Sequence, residues 1–137
     1  MADAQVQNEV QGLGHRRKRV EDARFLQGRG NYIDDIKLPG MLHLAIVRSP
    51  YAHARIKKID SSRAMATPGV LAVITGETLK QYNVHNMPTL MSDTQMVLPV
   101  DTVKYQYQEV AGVLGTDRYT AADGVAAVDV EYELIST

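Results

Sequence analysis

Val128-Asp-Val-Glu-Tyr-Glu-Leu134, close to the C-terminal end of the 137-residue chain, alternates without a fault. Val128, Val130, Tyr132 and Leu134 fall on one face, and Asp129, Glu131 and Glu133 on the other. A period of two with one apolar and one charged face predicts a half-buried antiparallel strand near a sheet edge. The segment before it, Ala121 to Val128, is small and helix-favouring. Thr120, three residues ahead of Asp123, resembles a capping box, with Thr116 as the earlier alternative cap.

Moving further from that strand, Gln106 to Leu114 reads as another strand, and residues 81–101, with Pro88 and Pro99, as a long loop of no period. Val70 to Thr75 is a β-branched apolar run of the kind found in central strands. Gly76 to Leu79 adds one helical turn. Residues 53–60 read as a strand, and Ser61 or Ser62 caps a short helix over 63–66 that Pro68-Gly69 stops. Leu42, Leu44 and Ile46 alternate with His43, Ala45 and Val47. Apolar residues on both faces predict a well-covered strand, broken by Ser49-Pro50. Asn31 to Ile33 is strand-like and runs into Asp34-Asp35, where an Asp-rich turn caps its own backbone. The resulting order of strands and short helices predicts an α+β fold, with a mixed β-sheet and helices packed on one side. We divide the chain into a disordered polar tail (1–12), a basic docking arm (13–30) and the folded domain (31–137).

Composition narrows the function. One domain's worth of chain can bury a core without staples. There is no cysteine, which removes disulfides, thiolate zinc sites, iron–sulfur ligation and cysteine nucleophiles. A net charge of −1 does not point to nucleic acid. Met1 to Gln11 has no apolar signal-peptide core, and no run reaches the length of a membrane span, so a soluble intracellular protein is expected.

The four histidines (His15, His43, His53, His85) have no ligand spacing, and Asp34-Asp35 sits in no calcium-loop pattern. Gly12-Leu13-Gly14 opens like a dinucleotide fingerprint, but Arg17 takes the third glycine's place and no strand precedes it. Ser49, Ser61 and Ser62 lack a nucleophile elbow. Glu109 lies in a predicted strand, where an exposed or edge position is expected. No catalytic, cofactor-binding or metal residue is therefore assigned. The one sharp electrostatic feature is Arg16-Arg17-Lys18-Arg19. With Arg24 and Phe25 these residues are read as an arm that docks on a partner, against the plainer alternative of a solvated basic tail.

Several segments together resemble a known family. Arg19-Val-Glu-Asp-Ala-Arg-Phe-Leu-Gln-Gly-Arg-Gly-Asn-Tyr-Ile-Asp-Asp35 and Arg48-Ser-Pro-Tyr-Ala-His-Ala-Arg-Ile56 resemble the opening of the large subunits of molybdenum hydroxylases. Pro68-Gly-Val-Leu-Ala-Val-Ile-Thr-Gly76 and Asp117-Arg-Tyr-Thr-Ala-Ala-Asp123 follow in that family's order, and the likeness covers residues 14–135. Within the family, Met87-Pro-Thr-Leu90, Ser92 to Leu98 and Asp35 to His43 look most like aerobic carbon monoxide dehydrogenase large subunits, with Asn86 standing where that pattern has tryptophan. The resemblance implies an N-terminal a/b hammerhead domain of the aldehyde oxidase and xanthine dehydrogenase type. It implies a parent complex using molybdopterin cytosine dinucleotide, iron–sulfur clusters and FAD, with the cofactor contacts outside this chain. The implied partners are a molybdenum-binding catalytic domain, an iron–sulfur subunit and an FAD subunit. The complex would be cytoplasmic or peripheral at the inner membrane face. In that reading the isolated chain is non-catalytic and prone to self-association. The alternative is a stand-alone binding or assembly module on the same fold.

Overall fold

The structure is a computed structural model that describes residues 19–84, 86, 87 and 95–135. It divides into two compact units, Met1–Leu38 and Pro39–Thr137.

In the first unit, Asp22–Leu26 forms the short helix α1, and Ile33–Asp35 a turn of 3-10 helix. The Asp35 carboxylate accepts a hydrogen bond from the Tyr32 backbone N–H at 3.0 Å. The Asp-rich turn does cap its own backbone, although 31–33 are not a strand. The described part of the docking arm, 19–30, contains this helix.

The described residues of the second unit form six strands. β1 (His43–Arg48), β3 (Val70–Thr75) and β5 (Glu109–Gly115) form one antiparallel sheet in the order β1-β5-β3. β2 (Ala54–Asp60), β4 (Thr102–Val103) and β6 (Asp129–Leu134) form a second, in the order β4-β2-β6. The α+β class expected from sequence is the class found. The strands form two antiparallel sheets rather than one mixed sheet. A helix between two strands looks the same in sequence whether it crosses over within a sheet or carries the chain to another. Here α4 (Arg118–Ala127) does the latter, leading from β5 to β6.

The strand Val70–Thr75 has the predicted bounds but lies at a sheet edge; β5 is central, and its backbone runs buried over most of its length. β6 is an edge strand, as its alternation predicted. The predicted strand 106–114 begins later, at Glu109. The backbone turns at Tyr107, whose φ of 64° is incompatible with an extended ladder.

Helix α4 packs on one face of the β1-β5-β3 sheet. Gly124 lets it approach so closely that a Cβ there would sit 2.7 Å from Val113 Cγ1 and 2.8 Å from Val70 Cγ2. Between helix and sheet lies a core of Val47, Val70, Ala111 and Val113. A second core, Ala54, Ile56, Val103 and Val110, lies under the other sheet. Val130 packs against both. The N-cap of α4 is Asp117, not Thr120 or Thr116: its Oδ1 accepts from the N–H groups of Tyr119 and Thr120, each at 2.9 Å. Both threonines face the same turn, but Asp117 is the residue with extended backbone that a cap requires.

Helices α2 (Ser62–Met65) and α3 (Gly76–Gln81) complete the unit. Ser61 is the N-cap of α2 in position, but its side chain makes no cap bond. Asp60 Oδ1 accepts from the Ser62 N–H at 3.0 Å instead. Thr75 caps α3 through a reciprocal pair with Thr78.

Candidate functional site

No described residues assemble a reaction centre. No group of three or more His, Cys, Asp or Glu side chains among them is close enough to hold a metal. His43 sits in β1 opposite Gly115, and the His53 carbonyl accepts from the Ile135 N–H at 3.4 Å; His15 and His85 lie outside the described residues. With no cysteine in the sequence, an iron–sulfur cluster would find no thiolate ligand in this chain. No described helix is long and apolar enough to cross a membrane.

Four surface features remain among the described residues. The first belongs to the basic arm. Arg16, Arg17 and Lys18 lie outside the described residues. Arg19, Arg24 and Phe25 are described and exposed. The Phe25 ring stacks on Tyr32 (centroids 6.1 Å apart, planes at 15°), and the Arg24 guanidinium lies 5.1 Å from the Phe25 centroid. Gly30 makes room for this stack: a Cβ there would fall 3.1 Å from Phe25 Cδ1. The arrangement holds two of the proposed docking residues in a fixed geometry while Leu26 and Ile33 stay almost wholly exposed.

The second is the corner where β1 ends and β5 begins. Arg48 Nη1 donates to Glu109 Oε1 at 2.5 Å and to the Tyr107 carbonyl at 2.9 Å, and the Tyr105 hydroxyl donates to Glu109 Oε2 at 3.3 Å. The hydrogen bond from the glutamate's own backbone N–H, followed by that from Arg48, holds the Glu109 carboxyl below its ordinary range. Glu109 is thus a hydrogen-bonded carboxylate, but half-buried at the start of the central strand rather than exposed or at a sheet edge.

Behind the corner Ser49 is fully buried. Its hydroxyl donates to the Tyr51 carbonyl at 3.0 Å and accepts from the Tyr51 N–H at 3.1 Å. Tyr51 meets Tyr132 edge to face, centroids 5.3 Å apart. The Tyr132 hydroxyl is buried without a hydrogen-bond partner, and burial pushes its pKa up. Ser49 is near enough to oppose that shift, but its own bonds go to Tyr51, so the phenol stays unpaired. None of this forms a nucleophile–base pair.

The third is a hollow of about 230 Å³ lined by Gly76, Leu79, Lys80, Val84, Met96 and Leu98, among others. Its polar members, Lys80, Asn86 and Asp101, show no hydrogen-bonded constellation among the described residues.

Fourth, the two sheets differ in their outward faces. On the β4-β2-β6 sheet the face carries charge, with Arg55 and Lys57 both reaching Glu133, at 3.5 Å and 3.9 Å. On the β1-β5-β3 sheet the face turned away from α4 carries Leu44, Ile46, Ala72, Ile74, Gly112 and Leu114, as the register pairs them. Sequence reasoning saw apolar residues on both sides of β1 and expected cover for both. Within the second unit the described residues supply a helix on one side only, and Leu44 is 57% exposed.

The profile of the aldehyde oxidase and xanthine dehydrogenase a/b hammerhead domain matches residues 27–135. Over 130 residues, 95% of this chain, the sequence is 57% identical to the carbon monoxide dehydrogenase large chain of Afipia carboxidovorans, of which that match is 16%. The large chain of the same name from Hydrogenophaga pseudoflava is also 57% identical, over 89% of this chain and 15% of its own length. The solved Cu,Mo-CO dehydrogenase in its carbon monoxide reduced state superposes with a TM-score of 0.83 at 58% identity, over 91% of this chain and 16% of that one. Aldehyde oxidoreductase from Desulfovibrio gigas gives 0.74 at 31% identity, over 86% of this chain and 14% of that one. The chain thus spans about a sixth of the length of the relatives it matches.

Proposed function

The chain belongs to the aldehyde oxidase and xanthine dehydrogenase a/b hammerhead family, and on that premise we propose that it serves as the N-terminal scaffold and interface domain of the large chain of a molybdenum-dependent carbon monoxide dehydrogenase. Its contribution is structural. The molybdenum cofactor, iron–sulfur clusters and FAD belong to the rest of a cytoplasmic complex, and the isolated chain does not turn over substrate.

The carrying observation is the gradient of identity. It stands at 57% to carbon monoxide dehydrogenase large chains, against 31% to an aldehyde oxidase of Cavia porcellus and 30% to a xanthine dehydrogenase molybdenum-binding subunit of Escherichia coli. Carbon monoxide is therefore the substrate class favoured for the parent. Within the interface role the arm residues Arg16, Arg17, Lys18, Arg19, Arg24 and Phe25 dock on another part of the complex. Their charge complements an acidic surface, and the stacked Arg24–Phe25–Tyr32 group presents a fixed aromatic contact.

The test is a pull-down of the tagged chain from extract of its own cells, with mass spectrometry of what it retains and an assay of carbon monoxide-dependent acceptor reduction. Recovery of molybdenum-binding, iron–sulfur and flavin polypeptides with activity is expected. A lone chain that reduces an acceptor with carbon monoxide, or one that retains none of these polypeptides, overturns the reading; the latter result favours a stand-alone module.

A further inference from the structure

We propose that the outward face of the β1-β5-β3 sheet is the seat on which the remaining polypeptide of the large chain packs, an inference that rests on the domain reading above. The face is made of Leu44, Ile46, Ala72, Ile74, Gly112 and Leu114, with no charged or polar side chain among them. A sheet face meant for water alternates against charge, and the molecule shows what that looks like. The second sheet of the same unit turns Arg55, Lys57 and Glu133 outward and ties them in ion pairs. Leu44 is exposed, and Ile46, Ala72, Ile74 and Leu114 are half-buried; a contiguous apolar patch of this kind marks a contact.

Two further details suit a docking face. Gly112 has no side chain at its centre, and Leu44 leans into the space, its Cδ1 3.0 Å from where a Cβ would stand. The leucine side chain therefore fills the centre of the face, and it is what a neighbour would meet. At one end the face closes on the Arg48–Glu109 ion pair with Tyr105 and Tyr107 beside it. An apolar centre with a charged and aromatic rim is the usual make-up of a protein interface.

The occupant follows from length. In large chains 57% identical to this one, the matched segment is 16% or 15% of the polypeptide. About five-sixths of such a chain lies elsewhere and requires a surface on this domain. The proposal commits to that polypeptide, not to a second copy of this chain.

The sequence has no cysteine, so Leu44→Cys introduces a lone thiol on the face and Arg55→Cys one on the charged sheet as control. Each is made in the isolated 137-residue chain and in the Afipia carboxidovorans large chain with its matched segment replaced by this chain. Maleimide labelling of the two positions is followed by peptide mass spectrometry. The expected result is labelling of position 44 at least tenfold slower in the assembled large chain than in the isolated chain, with position 55 unchanged. In parallel, Leu44→Lys lowers the yield of assembled large chain at least tenfold while the isolated chain keeps its melting temperature. Equal labelling at 44 in both settings, or normal assembly of Leu44→Lys, overturns the proposal. Slow labelling in the isolated chain overturns it too: concentration-dependent protection identifies a second copy, and concentration-independent protection the chain's own first 38 residues. If the unsubstituted replacement chain fails to assemble, the domain reading itself fails and this proposal with it. If it assembles but ignores Leu44→Lys, only the docking face is wrong.

Discussion

Arg48 closes over Glu109 at the point where the β1-β5 register slips, its Nη1 2.5 Å from the carboxylate while the same nitrogen holds the Tyr107 carbonyl. The pair brackets a bulge and a residue of positive φ, so it clamps a strained corner. Because both side chains are over a third exposed, solvent screening limits the ion pair to about 1 kcal/mol or less. We predict that Glu109→Gln destabilises the domain by about that amount at neutral pH, measured by urea unfolding. The folded-state pKa of Glu109 is depressed. Its contribution is therefore complete above the unfolded glutamate value of about 4.3 and is lost as pH falls through the lower folded value. In a pH series the variant and the parent should converge below that window. A gap that persists in strong acid contradicts the electrostatic account.

Asp117 caps α4 with two backbone N–H groups on a single oxygen. Asp117→Ala should lower the melting temperature by several degrees, and Asp117→Asn by much less, since asparagine caps comparably. Thr116→Ala should have little effect, because Thr116 is not the cap. Calorimetry of the three variants decides whether position 117 or the threonines start the helix.

Gly76 and Gly124 are close-approach glycines of different kinds. A Cβ at Gly76 would lie 2.5 Å from the Pro99 carbonyl oxygen, a backbone atom that cannot step aside. A Cβ at Gly124 meets only side-chain carbons of Val113 and Val70. Gly124→Ala gains roughly 1 kcal/mol of helix propensity against an overpacking cost of about 1–3 kcal/mol. Gly76→Ala has no such offset in a strand-to-helix turn and should cost more, on the order of 3 kcal/mol, enough to reduce soluble yield. Denaturant midpoints of the two variants should rank accordingly.

Tyr132→Phe removes a buried hydroxyl that has no partner. Such a deletion is neutral or stabilising, because no bond is lost and an unsatisfied group disappears. Tyr132→Ala also loses the edge-to-face contact with Tyr51 and should cost about 3–5 kcal/mol. A clear loss of stability in Tyr132→Phe would mean that Ser49 or another group bonds the phenol in solution.

What the sequence disclosed follows from which rules are local. Val70–Thr75 and Asp129–Leu134 were legible to within a residue because an apolar β-branched run and a strict alternation each depend only on neighbours. The class was legible for the same reason, and the family through the resemblance of several ordered segments to molybdenum hydroxylase large subunits. Strand order was not: β3 reads as central from its composition, and only long-range pairing puts β5 there. The start of β5 was missed because Gln106-Tyr107-Gln108 keeps a period of two while Tyr107 takes a turn conformation. The apolar outer face was half legible. Leucine, isoleucine and alanine on both sides of β1 announced that something covers it, and nothing local says whether the cover lies within the same chain.

Val130 packs against both cores, and that makes the two sheets one cooperative unit. If the charged sheet opened alone, this valine would leave a void among Val47, Val70, Ala111 and Val113. The first sheet would then be destabilised in the same event. Partial opening therefore gains little entropy before it exposes both interiors. Amide exchange in β2 and β5 should report the same opening free energy, and heat should melt the pair in a single step.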